Sequence, residues 1–150
     1  MIQVNVEQVL LPNGRKSERE IVLHPGAVGI LAITSAEKII LVKQFRKALN
    51  QAILEIPAGK LESGEDPSSC AARELKEETG YTTTNMTQIG KFHTSPGFSD
   101  EVIYLFQAKG LQSGKAVPDE DEFVELIELS FDEAIEMVNK GNIVDAKTLI

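Results

Sequence analysis

The sequence predicts an α/β chain in which a mixed β-sheet is sandwiched between helices, preceded by an antiparallel strand region. Two observations carry this prediction. Apolar stretches of strand length lie on both sides of one well-capped helix, and a second capped helix follows the last of them. Helices so placed must cover both faces of a sheet, which gives an α/β/α sandwich. Length adds a third: 150 residues, 42% of them hydrophobic, suit one domain spanning residues 1–150.

Along the chain, Val4, Val6 and Leu10 alternate with polar residues as in a strand. Pro12-Asn13-Gly14-Arg15 reads as a hairpin turn, because Asn-Gly readily takes positive φ at both central positions. Glu20 to Leu23 is the returning strand, so residues 1–24 form a hairpin region. Gly26 to Ile33 is a continuous apolar strand, Thr34 to Glu37 a turn, and Lys38 to Val42 its partner. Ala52 to Ile56 gives a short strand, and Pro57-Ala58-Gly59 leads onward.

The first helix has clear ends. Asp66 is a favoured N-cap, Pro67 a favoured first residue, and Gly80 suits a left-handed close. After it, Thr82 to Thr84 is β-prone, and Thr87 to His93 and Glu101 to Ala108 read as strands around the turn-rich Thr94 to Asp100. A loop from Gly110 to Glu120 precedes a strand at Phe123 to Leu129. Ser130-x-x-Glu133 is a capping box opening a helix with Phe131, Ala134, Ile135 and Val138 on one face, closed by Gly141. Asp145 to Ile150 begins another helix, whose apolar end fits either a longer helix or a contact with a neighbour.

Composition narrows the function. A net charge of −8 repels nucleic-acid phosphates and argues against a nucleic-acid partner. The single cysteine, Cys70, allows no internal disulfide and suits a small buried residue. The N-terminus lacks the basic start and apolar core of a signal peptide. No apolar run approaches the roughly 20 residues of a membrane span. A cytoplasmic location without a membrane partner is expected.

The chemistry concentrates in GKLESGEDPSSCAARELKEETGY, residues 59–81. Glu74, Glu77 and Glu78 stand at i, i+3 and i+4, which places three carboxylates on one helical face. Such a face is either a solvated surface, eased by an Arg73–Glu77 pair, or a seat for a hard divalent cation such as magnesium or manganese. Gly59, Glu65, Arg73, Glu74, Leu75, Glu77, Glu78 and Gly80 match every fixed position of G-x5-E-x7-R-E-U-x-E-E-x-G-U, where U is bulky and apolar. A chance match in a chain this long is on the order of one in several million. Tyr81 stands where the pattern prefers an aliphatic residue. The chain thus resembles the Nudix hydrolases, and the resemblance implies their fold.

Features outside the box resemble the ADP-ribose pyrophosphatase subfamily: HPGAV at 24–28, QFR at 44–46 followed by LEIPAGKLE at 54–62, Pro96 sixteen residues after Gly80 within SPGFSDE, and DEDEFVE at 119–125. The resemblance runs from about Asn13 to Ala146. It implies magnesium-dependent hydrolysis of ADP-ribose to AMP and ribose 5-phosphate, with manganese as a substitute metal.

Carried over residue by residue, Glu74 and Glu78 are the leading metal ligands, with Glu77 and the Ala58 carbonyl beside them. Arg73 orients a box carboxylate and Glu65 ties the loop to the helix. The acidic loop supplies the general base, Glu120 first and Glu122 second, with Glu122 alternatively holding a further metal. Arg46 meets the diphosphate or terminal ribose, and Arg19 faces adenine or ribose. Lys60, Ser95, Pro96, Gly97 and Glu101 line the terminal ribose side, and Glu55 supports its strand. His24 and His93 receive no role. The resemblance also implies a homodimer formed through the N-terminal strands. The alternatives are a hydrolase for another nucleoside diphosphate sugar or dinucleotide, and a sensor domain that binds a nucleotide sugar without cleaving it.

Overall fold

Continuous apolar runs form strands here because both faces of the sheet are covered. The computed structural model describes residues 2–116 and 124–150. Its strands are β1 (Gln3–Leu10), β2 (Lys16–Leu23), β3 (Ala27–Ile33), β4 (Lys38–Arg46), β5 (Gln51–Glu55), β6 (Ala58–Lys60), β7 (Asn85–His93), β8 (Val102–Lys109) and β9 (Val124–Ser130). The helices are α1 (Pro67–Thr79), α2 (Phe131–Asn139) and α3 (Ala146–Leu149).

The main sheet has the order β5-β4-β3-β8-β7, with β6 paired to β3 and β9 to β4. β3 and β8 run parallel; every other pairing in it is antiparallel. Period-2 alternation sends neighbouring residues of a strand to opposite faces. Val28, Ile30, Ala32, Ile40, Phe106 and Ala108 accordingly pack with Cys70, Ala71 and Leu75 of α1. Leu31, Ile39, Leu41 and Leu105 face the other way and pack with Ala134 and Met137 of α2 and with Ile143. This is the α/β/α sandwich expected from sequence.

β1 and β2 form a separate two-stranded antiparallel sheet. It joins the body where Val22 N–H donates to the Phe98 carbonyl and Asp100 N–H donates to that of Val22. Several boundaries differ from expectation. β2 begins at Lys16 rather than Glu20, because its polar half pairs in full register with β1. Only Gly14 of the Asn-Gly pair takes positive φ, at 79°. The turn is therefore wider than a two-residue hairpin, closed by Leu11 N–H on the Arg15 carbonyl. β4 continues to Arg46 rather than stopping at Val42, since β5 folds back to pair Gln44 with Ile53 and Arg46 with Gln51. The three-residue β6, not foreseen, pairs Ala58 with Gly29 and Lys60 with Ala27.

The helix ends follow the expected chemistry. The Asp66 carboxylate accepts from Ser68 N–H at 3.0 Å and Ser69 N–H at 3.3 Å, and Gly80 closes α1 at φ 73°. Ser130 and Glu133 form the reciprocal capping box of α2. The apolar face of α2 divides: Ala134 packs inward, while Phe131, Ile135 and Val138 stay exposed and line an apolar groove with Leu149 and Ile150.

Candidate active site

The box pattern becomes a cleft because α1 buries Cys70, Ala71 and Leu75 against the sheet and turns Arg73, Glu74, Glu77 and Glu78 toward β6. The cleft has a volume of about 700 Å3 and is also lined by His24, Arg46, Ala58, Gly59, Lys60, Glu101 and Lys147.

Arg73 is the hub of its acidic wall. Its Nε and Nη2 donate to the two oxygens of Glu65, each at 3.0 Å. Nη1 donates to Glu74 at 2.8 Å and to Glu77 at 2.9 Å, and Nη2 also reaches the Lys60 carbonyl at 3.3 Å. The hydrogen bond to Glu65, with the surrounding carboxylates, raises the Arg73 pKa further, and Arg73 holds Glu65 down to about 2. Arg73 thus gathers the carboxylates, as expected, and ties the loop to the helix through Glu65.

Glu78 is only 4% exposed and accepts from Ala58 N–H at 3.0 Å. Gly59, next to Ala58, brings its backbone against the Glu74 carboxylate. The donor set is hard oxygen throughout, which fits magnesium or manganese and not a soft metal. Among the described residues, the carboxylates do not already converge as a metal cage. In this state Arg73 and Ala58 N–H hold them, and a cation taken up here would compete for the same oxygens.

Arg46 and Lys147 also line the cleft, each paired with a carboxylate. Arg46 donates from Nε to Glu55 Oε1 at 2.6 Å and from Nη2 to Oε2 at 2.8 Å. Glu55 is 1% exposed and is also paired with Lys147. Burial alone would push the Glu55 pKa up, but Arg46 and Lys147 outweigh it and hold the carboxyl below its usual range. At a third edge, His24 Nε2 lies 3.4 Å from Glu101. Gly26 N–H donates to His24 Nδ1 at 3.1 Å. Thr94 donates its hydroxyl to the other Glu101 oxygen.

The structure brings Ala58, Glu74, Glu77, Glu78, Arg46, Lys60 and Glu101 to this one cleft. It does not bring Arg19, which lies exposed on β2 and bonds to Ser17 and the Glu18 carbonyl. Ser95, Pro96 and Gly97 form a turn closed by Phe98 N–H on the Ser95 carbonyl. Pro96 lines a separate depression with His93 and Phe98. Glu120 and Glu122 lie outside the described residues. His24 and Lys147 are cleft residues that no local sequence pattern places there. HPGAV marked His24 in the sequence, but its partner Glu101 is 77 positions away. Lys147 sits 92 positions from Glu55, and no local pattern links them.

An acidic helix face and two basic side chains lining one α/β/α cleft suit a hydrolase that handles phosphate with a divalent metal. The NUDIX domain model matches residues 23–149, and the chain belongs to the Nudix hydrolase family. It is 54% identical over 152 residues to the methanol dehydrogenase activator of Bacillus methanolicus, covering 100% of this chain and 82% of that protein. It is 54% identical over 150 residues to the ADP-ribose pyrophosphatase of Bacillus subtilis (strain 168), covering 99% and 81%. The GDP-mannose pyrophosphatase of Salmonella typhimurium is 37% identical over 145 residues, 90% of this chain and 75% of that protein. The crystal structure of an ADP compounds hydrolase superposes with a TM-score of 0.88 at 21% identity, covering 99% of this chain and 81% of that one, a likeness of fold.

Proposed function

We propose that this chain hydrolyses the diphosphate of ADP-ribose to AMP and ribose 5-phosphate, using magnesium or, in its place, manganese. The single observation that carries this reading is the cleft itself: the carboxylates gathered by Arg73 and the Arg46 guanidinium line one space of about 700 Å3. The 54% identity to an ADP-ribose pyrophosphatase across nearly the whole chain supports the substrate.

Glu74, Glu77, Glu78 and the Ala58 carbonyl would hold the magnesium, which supplies neutralisation of phosphate charge and acidification of water. The residues of the chain do the rest. Arg46 binds the diphosphate, and Lys60 and Glu101 line the terminal ribose side, Glu101 being held in place by Thr94 with His24 beside it. Glu120, with Glu122 as the second candidate, takes the proton of the attacking water; this assignment rests on the acidic stretch of the sequence. Electrostatic positioning of this kind, rather than covalent chemistry, is what phosphoryl transfer demands.

Residues 1–150 act as one domain in this reading, in the cytoplasm and as a homodimer. The exposed apolar residues Ile2, Val4 and Val6 of the N-terminal hairpin support the dimer. Through it, Arg19 and the Ser95-Pro96-Gly97 turn would meet substrate. Among the described residues, no helix is long and apolar enough to cross a membrane. Light scattering giving a mass near 16.4 kDa would refute the dimer.

A second reading, hydrolysis of another nucleoside diphosphate sugar, is favoured by the 37% identity to a GDP-mannose pyrophosphatase. The test is AMP release from ADP-ribose with magnesium, beside ADP-glucose, GDP-mannose, diadenosine compounds and NADH. Preference for ADP-ribose, abolished by chelator, supports the first reading, and preference for GDP-mannose the second. Tight binding without cleavage of any compound would overturn both in favour of a sensor.

A further inference from the structure

The buried Glu55 carboxylate has two basic partners. Arg46 alone satisfies both of its oxygens in a bidentate pair, at 2.6 and 2.8 Å, yet the Lys147 ammonium is also placed on Oε2. Lys147 does not arrive there by chance of a long side chain. Asp145 caps α3 by accepting from Thr148 N–H at 3.1 Å and lies 3.1 Å from the Lys147 ammonium. The Thr148 hydroxyl accepts from Ile56 N–H at 2.9 Å, immediately after Glu55. The short helix is thereby pinned to the end of β5, and its lysine points into the cleft.

We infer that Lys147 is a positioning residue for the cleft arginine: by sharing Glu55, it leaves the outer edge of the Arg46 guanidinium available to a diphosphate. This rests on the diphosphate-cleft reading above, though not on which nucleotide is cleaved. Arg46 Nε and Nη2 are committed to Glu55, and Nη1 has no partner among the described residues. The local balance explains why a second cation matters. Arg46 and Lys147 offset Glu55 and Asp145. Without Lys147 the four-group cluster becomes net negative, next to Glu78, whose charge also acts on Arg46. An anionic ligand would then meet an arginine neutralised by its own scaffold.

The test is a double-mutant cycle on the dissociation constant of pyrophosphate, measured by calorimetry at a fixed excess of magnesium. The proteins are wild type, Lys147→Met, Arg46→Gln and the double variant, with Lys147→Arg as the conservative control and melting curves to establish folding. Lys147→Gln replaces Lys147→Met if the latter does not fold. Lys147→Met is expected to weaken binding about tenfold in the wild-type background and less than twofold beside Arg46→Gln, with Lys147→Arg near wild type. In turnover, the same substitution raises KM with kcat within about twofold. Unchanged binding in Lys147→Met, multiplying effects in the double variant, or a wild-type protein that does not bind pyrophosphate would each overturn the inference. Coupled binding in a protein that leaves ADP-ribose intact would uphold it and sink the substrate assignment instead.

Discussion

The Glu74 carboxylate occupies the space where a side chain on Gly59 would begin. A Cβ built on Gly59 would lie 1.9 Å from the Glu74 carboxyl carbon and from one of its oxygens. Gly59 is thus required for close approach, not for positive φ. Gly59→Ala must displace Glu74 or the β6 backbone. Because displacing a catalytic group by about 1 Å can cost on the order of a hundredfold, turnover should fall by about that factor while the protein still folds. Magnesium-dependent turnover and a melting curve check this. Undiminished turnover would mean that Glu74 does not need its observed place.

Arg73 holds carboxylates that would otherwise repel one another. Arg73→Gln should destabilise the protein by about 1–3 kcal/mol in chelator, the usual cost of losing charged hydrogen bonds. Magnesium should recover part of the loss, since a cation offsets the same repulsion. Urea unfolding with and without magnesium measures both; a loss equal in the two conditions would separate Arg73 from the metal-binding wall.

Acid should act on the Arg73–Glu65 pair in a defined window. Glu65 is held at about 2, below its ordinary 4.5, chiefly by its hydrogen bond from Arg73. A carboxyl whose pKa is depressed by folding adds stability that is complete above the ordinary value and lost as pH falls toward the folded one. The stability difference between wild type and Glu65→Gln should therefore be constant above about pH 5 and shrink between about 4.5 and 2. Urea melts of both proteins across that range test it. A difference unchanged down to pH 2 would show that the charge of Glu65 is not what stabilises.

Cys70 should be inert in the folded protein. It is fully buried, its thiol faces the Lys60 carbonyl at 3.5 Å, and burial, with Glu65 nearby, pushes its pKa up to about 12. Thiolate is the reactive form. A thiol reagent at pH 8 should label Cys70 only after denaturation; rapid labelling of the native protein would contradict the packing of α1.

The legible part of the molecule was that encoded locally. The Asp66 cap, Pro67 start and Gly80 close specify α1 within a few residues of sequence, and glutamates at i, i+3 and i+4 fix which side chains share its face. The Arg46–Glu55–Lys147 cluster depends instead on contacts across the sheet. Arg46 meets Glu55 because β4 and β5 fold back on each other, and Lys147 joins them from the far end of the chain. His24 acquires its place from Glu101 only once β3 and β8 lie side by side. The polar half of β2 is not legible locally, because its order comes from register with β1 rather than from burial.

Glu78 tests the central claim most directly. It is buried beside Ala58 on the acidic wall, and Glu78→Gln removes its charge while keeping its shape. AMP release from ADP-ribose should be magnesium-dependent in the wild type and lower by orders of magnitude in Glu78→Gln, with a similar melting temperature. Retained turnover with a normal metal requirement in the variant would contradict the account.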